Sequence, residues 1–303
     1  MRKQFGSSAL FLMITVIWGS AFVFQDMAMA HIGPFSVQAI RCLLAVLALL
    51  IIIIITDCFK KDGKTFFSRW ADPKLWKAGL LCGIPLTLAC NLQQLGLGDT
   101  DPGKCGFLTS MYIVIVPIFG LIRGKKLGIM VPIGVVLSVV GLYFLCLMES
   151  TSINIGDLLT LGCAFMFAVQ INFVDMFAGN TDPLRLNTIQ ALVCSVVSAI
   201  IMLFTESPTL TGITNAAFPL FFTGVLSFGI GYYVQIVAQK NVDATAATLI
   251  MSMEAVFAVV FEMILLNQML TKWELIGSAL MLIAVIIAQL PVGLKESSKQ
   301  AKN

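Results

Sequence analysis

The sequence predicts an all-α integral membrane protein of ten transmembrane helices, built as two inverted five-helix repeats with both termini in the cytoplasm. Three observations carry this. The chain is too apolar for water: 58% of its 303 residues are hydrophobic and 12% are charged, against about 25% charged in a soluble domain, and its mean hydropathy is +0.95. Its apolar runs reach the ~20 residues a helix needs to cross a bilayer core and do not alternate as barrel strands do. Finally, the chain repeats. Phe24-Gln25-Asp26-Met27 with Pro34 returns as Phe173-Val174-Asp175-Met176 with Pro183, offset by 149 residues (173 − 24 and 183 − 34). Gly83 and Gln94 return as Gly224 and Gln235, offset by 141 (224 − 83 and 235 − 94).

The spans are expected at 7–29, 35–55, 76–98, 102–122, 128–147, 156–178, 184–204, 216–238, 244–267 and 272–291. The first repeat is then 7–147 and the second 156–291, leaving 292–303 as a cytoplasmic tail. Orientation follows from Lys and Arg. With the N-terminus inside, 16 of the 19 fall in inside segments, Lys104 and Lys272 fall outside, and Arg41 lies within a span. That is a strong positive-inside bias. Six of the inside residues cluster between Lys60 and Lys77, suited to anionic headgroups. The start resembles a signal peptide, with Arg2, Lys3, an apolar run and Ala28-Met29-Ala30. Its apolar run is longer than an h-region, and span 1 matches span 6, so it is read as a retained span. The expected site is the cell (inner or plasma) membrane.

The composition excludes other classes. One His and no His/Cys/acid cluster argue against a metal. No cofactor and no nucleic-acid partner are expected. Eight cysteines lie mostly in apolar segments without a CxxC and read as small buried hydrophobes. Small residues four apart, at Gly79/Gly83, Gly134/Ser138 and Ala191/Ser195/Ala199, suit close helix packing or a homodimer face.

An odd number of spans per repeat turns the second copy over. Many secondary transporters build alternating access this way, with the substrate near the midplane where the halves meet. Ionisable groups there cost roughly 2.5–3.5 kcal/mol each on insertion scales and are functional candidates. Glu254 lies ten residues into span 9, about 15 Å deep at 1.5 Å per residue. Burial disfavours its charged form, so it suits a proton-coupling site. Glu262, about 27 Å in by the same rise, nears the far interface. Arg41, about 9 Å into span 2, reads as a structural or gating charge that pairs with an acid or snorkels outward, in preference to a substrate contact, and Glu262 is a candidate partner by depth alone. Asp26 and Asp175 are repeat-related helix-end acids, gating or structural. Trp18 is a mid-span aromatic beside Gly19, able to stack on a substrate. Asn91, Gln93, Gln94, Ser110, Tyr112, Gln170, Asn172, Tyr232, Tyr233, Gln235 and Ser252 are polar groups in the spans that would face the centre. Of these, Asn91, Gln94, Tyr112, Gln170, Tyr232, Gln235 and Ser252 are assigned to a cavity that takes a small amphipathic molecule.

Several patterns resemble the EamA-type members of the drug/metabolite transporter superfamily. Trp18-Gly19-Ser20-Ala21-Phe22 is similar to the family's first-span motif, and Pro34 followed by Arg41 to the start of its second. Lys104 to Pro117 (KCGFLTSMYIVIVP) is similar to its fourth span, Gly156-Asp157-Leu158-Leu159 to the opening of its second half, and Met253-Glu254-Ala255 to its ninth-span Leu-Glu-Pro. Ala255 stands where Pro is usual, and Asn267-Gln268 where Gly-Glu is common. The resemblance implies a transporter of amino acids, nucleosides, amphipathic drugs or other metabolites. An exporter is the leading expectation, proton-coupled through Glu254, and a facilitative carrier or exchanger of the same substrates is the alternative. No Walker motif is present for direct ATP drive. An intramembrane enzyme lacks a nucleophile–base pair or carboxylate dyad, and a channel would need filter loops or charge rings.

Overall fold

The computed structural model describes residues 2–60, 63, 65–124, 128–146, 154–267 and 271–289. The expected tail 292–303, Gln268, and Lys61, Lys64, Lys125 and Lys126 of the basic segments lie outside the described residues. Those described residues are helical throughout, joined by short turns and free of strands. The first half holds α1 (Arg2–Met29), α2 (Pro34–Phe59), the short α3 (Phe66–Trp70), α4 (Pro73–Gly96), α5 (Pro102–Ser110), α6 (Tyr112–Ile122) and α7 (Met130–Cys146). The second holds α8 (Ile155–Phe177), α9 (Pro183–Thr205), α10 (Leu210–Asn215), α11 (Ala217–Phe221), a π-helix (Phe222–Gly231), α12 (Tyr232–Gln239), α13 (Ala244–Met251), α14 (Met253–Leu266) and α15 (Lys272–Gln289).

Local chemistry sets the helix starts. Proline opens α2, α4, α5 and α9, where the missing N–H costs nothing. Aspartates cap three helices: Asp72 before α4, Asp182 before α9 and Asp243 before α13. Asn154 and Asp157 form a reciprocal capping box at α8.

Among the described residues, eight helical stretches are long and apolar enough to cross a membrane: Phe5–Met29, Pro34–Phe59, Pro73–Gly96, Pro102–Ile122, Ile155–Asn180, Pro183–Thr205, Ala217–Gln239 and Ala244–Leu266. The apolar parts of α7 and α15, Met130–Phe144 and Leu275–Ile287, are shorter. This is a multi-pass membrane protein. Its outer faces bear large apolar side chains such as Ile51, Ile84, Val136 and Leu203, while polar groups concentrate inside. A soluble protein shows the reverse pattern.

Helix contacts come in pairs that exchange when the two halves are exchanged. α2 packs on α9 and α7 on α15. α4 on α8 is matched by the π-helix and α12 on α1, and α1 on α14 by α8 on α5 and α6. The expected close-packing motifs are used within the chain: Gly79 and Gly83 of α4 face Ile189, Gln190 and Val193 of α9.

Three expected spans are not uniform helices. Span 4 breaks at Met111 (ψ −11°), between α5 and α6, and span 9 at Ser252 (ψ −15°), between α13 and α14. The breaks are 141 residues apart (252 − 111), the offset of the Gly83/Gly224 echo. Span 9 is therefore interrupted although Ala255 is not proline. The interruption comes three residues earlier, at Ser252, whose hydroxyl donates to the Leu249 carbonyl. Span 8 is the third exception, with ten residues wound as a π-helix.

Candidate functional site

A cavity lies where α1 and α2, α4 to α6, α8, and the π-helix through α14 converge. Its side chains are Trp18, Ala21, Phe22 and Gln25 of α1, Arg41 of α2, and Gln93 of α4. Thr109 and Tyr112 come from either side of the Met111 break, and Met251 and Glu254 from either side of the Ser252 break. Phe167, Gln170 and Ile171 of α8, Ser227 and Phe228 of the π-helix, and Tyr232 and Gln235 of α12 complete it. The cavity among these residues measures about 40 Å³, well below the roughly 300–1,000 Å³ of a drug-sized ligand pocket, so the lining is drawn together in this conformation.

The four α1 residues follow the 3.6-residue period and present one stripe. Gly19, on another face of that helix, lets α1 cross α14 backbone to backbone. A Cβ there would sit 2.8 Å from the Glu254 carbonyl oxygen and from the Ala258 nitrogen. This crossing brings Trp18 and Glu254 to the same cavity. Glu254 is buried, at 5% exposure, and its Oε1 accepts a 2.8 Å hydrogen bond from the Tyr112 hydroxyl. Each partner follows one of the two repeat-related breaks.

The π-helix shapes the opposite wall. A π turn leaves carbonyls without their α-helical partners, and side chains supply them here. Trp18 Nε1 donates to the Ser227 carbonyl (3.2 Å), and Asn187 Nδ2 donates to those of Gly229 (2.8 Å) and Phe228 (3.3 Å). Tyr232 stands between Trp18 and Phe228, with ring centroids at 5.1 and 4.8 Å. Gln93 donates to Thr109 Oγ1 (3.1 Å), and Gln170 to Gln190 Oε1 (3.1 Å).

Trp18, Tyr112, Gln170, Tyr232, Gln235 and Glu254, expected from the sequence, thus share the cavity. Asn91, Gln94 and Ser252 are not among its lining residues. Asn91 donates to the Thr87 carbonyl and accepts from Ser198, and Gln94 donates to Met29 Sδ. Gln93 takes the place expected of Gln94, and Gln25 lines the cavity while its neighbour Asp26 does not.

Arg41 corrects another expectation. It does not pair with Glu262. It lines the cavity at 3% exposure, with Nε donating to Gln38 Oε1 (2.7 Å) and the guanidinium 5.9 Å from the Phe228 ring centroid. Glu262 instead accepts from the Gly103 N–H (3.0 Å).

Charged groups close both ends of the bundle. At one, Lys104 and Asp157 form a 2.7 Å ion pair, and Thr100 also donates to Asp157. At the other, Asp175 accepts from the Ala244 N–H (3.2 Å) and lies 3.7 Å from Arg123. Arg185 is held there between Asp57 and Asp182, under Trp70. Burial works to raise the Asp182 carboxyl, but the Arg185 N–H and guanidinium and the Lys60 charge outweigh it and hold the carboxyl below its ordinary value.

Comparisons with known proteins agree with this architecture. The profile of the EamA-like transporter family matches residues 6–147 and 154–289. An uncharacterized transporter of Archaeoglobus fulgidus is 29% identical over 281 residues, covering 92% of this chain and 84% of that one. A chloroplastic WAT1-related protein of Arabidopsis thaliana is 22% identical, covering 95% and 72%. The uncharacterized transporter YoaV of Bacillus subtilis is 22% identical, covering 88% and 91%. A solved crystal structure superposes with a TM-score of 0.76 at 15% identity, covering 94% of this chain and 96% of that one. The chain belongs to the EamA-like transporter family.

Proposed function

We propose that the protein is a secondary transporter, an exporter of a small organic metabolite (an amino acid, a nucleoside or an amphipathic drug-like compound), that works by alternating access with proton coupling through Glu254. All ten apolar helices span the membrane in this reading, as two inverted repeats with both termini in the cytoplasm. The carrying observation is the Tyr112–Glu254 hydrogen bond of 2.8 Å. It joins the two halves inside the cavity, next to the paired breaks at Met111 and Ser252. A proton on or off Glu254 changes what that bond is worth, and so biases the contact between the halves. No chemical step is assigned to the cavity; its side chains bind and release.

The test uses purified protein in liposomes that hold a pH-sensitive dye. Amino acids, nucleosides and amphipathic cations are added one class at a time. A substrate-dependent proton signal that Glu254→Gln abolishes, with the variant still folded and inserted, is the expected result. Unchanged coupled flux in Glu254→Gln would end the proton-site reading. Saturable exchange of labelled substrate with no proton signal would make the protein a facilitative carrier and Glu254 structural.

A further inference from the structure

Among the described residues, Arg41 is a buried cation without a carboxylate partner; the ion pairs seen there involve other residues. The ionisable groups that feel its charge include the thiols of Cys42, Cys90 and Cys194 and the phenol of Tyr232. Its Nε is occupied by Gln38, whose own amide is anchored on the sulfurs of Cys42 (3.2 Å) and Cys194 (2.9 Å). The two terminal nitrogens make no hydrogen bond, yet they are not among the sealed, unpartnered polar atoms. Arg41 is itself a lining residue of the cavity. An uncompensated guanidinium in a low-dielectric site is costly. A held guanidinium with its terminal edge free is the geometry that takes an oxyanion through two parallel N–H···O bonds.

We propose that Arg41 is the anion subsite of the cavity, and that the transported molecule is a small organic carboxylate. Its carboxylate sits on the terminal nitrogens of Arg41, and its apolar body lies against Phe228, Tyr232 and Trp18. The ligand supplies the charge the protein omits. Gln25 Oε1 and Gln235 Oε1, on residues that line the same cavity, are sealed and unpartnered in this conformation, so a shift of the lining that opens them would offer them to a donor elsewhere on the molecule. This rests on the transporter reading above and narrows its substrate.

The test compares two probes of one shape and different charge, phenylacetate and phenylacetamide. Each is titrated against purified protein in detergent, with thermal stabilisation as the readout. Phenylacetate is expected to act saturably and at least about tenfold more tightly than the amide, as a hydrogen-bonded charge pair gives. Arg41→Gln is expected to lose that preference, and Arg41→Lys to keep part of it. Equal affinities, no saturable effect of phenylacetate, or an undiminished preference in Arg41→Gln would overturn the proposal. Neutralisation of Arg41 by a Cys194 thiolate would produce the first of these. If the variants do not fold, the wild type decides. Phenylglyoxal modification of Arg41, mapped by mass spectrometry, should be blocked by phenylacetate and not by the amide, and equal labelling in both would sink the subsite. Counterflow of labelled phenylacetate in liposomes separates this proposal from the one it rests on. Arg41-dependent binding without counterflow keeps the subsite and removes the transporter. Saturable flux of another metabolite, unslowed in Arg41→Gln, does the opposite.

Discussion

Asp57 and Glu206 occupy the same place in the two repeats, each 23 residues past the proline that opens its helix (57 − 34 and 206 − 183), and each reaches back to the start of the other's helix. Glu206 accepts from the N–H groups of Phe35 (2.9 Å) and Ser36 (2.8 Å) and from the Ser36 hydroxyl (2.6 Å) at the start of α2. Asp57 pairs with Arg185 in the first turn of α9. The antiparallel α2–α9 pair is therefore latched at both ends, by backbone capping at one and by an ion pair at the other.

The capping end has a predicted cost. Glu206→Ala leaves the first N–H groups of α2 without their acceptor, since Gly33 makes no side-chain cap. Loss of a cap costs about 1 kcal/mol, which lowers the melting temperature by about 2–4 °C in a chain of this size. Thermal unfolding in detergent measures it, and Glu206→Gln should recover part of the loss.

The ion-pair end predicts a pH dependence. Asp182 is held below its ordinary value in the folded state. The folded form therefore binds fewer protons than the unfolded one near that range, and the gain in stability is complete above the unfolded value. It is lost as pH falls below about 4 and through the folded value. Melting temperatures measured from pH 7 downward should show an acid limb, and Arg185→Gln should make that limb shallower.

The α1–α14 crossing predicts a sharp contrast between two glycines. Gly19→Ala puts a methyl against the α14 backbone, which cannot retreat as a flexible side chain can. Overpacking of this kind costs about 1–3 kcal/mol, and Trp18 and Glu254 should separate with a drop in transport. Gly6→Ala, in the same helix with open space around it, should be neutral or stabilising by up to about 1 kcal/mol. Similar melting temperatures for the two variants would contradict the close crossing.

The helices were legible in the sequence because a bilayer demands long apolar runs, and because Pro34, Pro73, Pro102 and Pro183 mark their starts. The buried Glu254 was legible for the same reason: an ionisable residue stands out against an apolar background. The choice between Gln93 and Gln94, or between Gln25 and Asp26, was not. Adjacent residues on a helix point about 100° apart, and in a membrane protein both the core and the lipid face are apolar, so hydropathy does not say which way is inward. Arg41 was misread because depth alone suggested an acid as its partner, whereas the real arrangement depends on Gln38 and on Phe228, which is far away in sequence. The π-helix had only a faint signature, in Gly224, Gly229 and Gly231. Its enabling partner, Asn187, lies on another helix.

The α2–α9 latch also bears on how the chain is made. The N–H groups of Phe35 and Ser36 leave the ribosome about 170 residues before Glu206 exists. At about 5–20 residues per second that is a wait of roughly 10–30 s. Arg185 likewise reaches Asp57 only after 128 further residues have been added. During that interval the first half sits in the bilayer with a helix end it cannot finish by itself, in need of water, lipid headgroups or an insertion factor. Each half therefore carries a helix start whose partner the other half supplies.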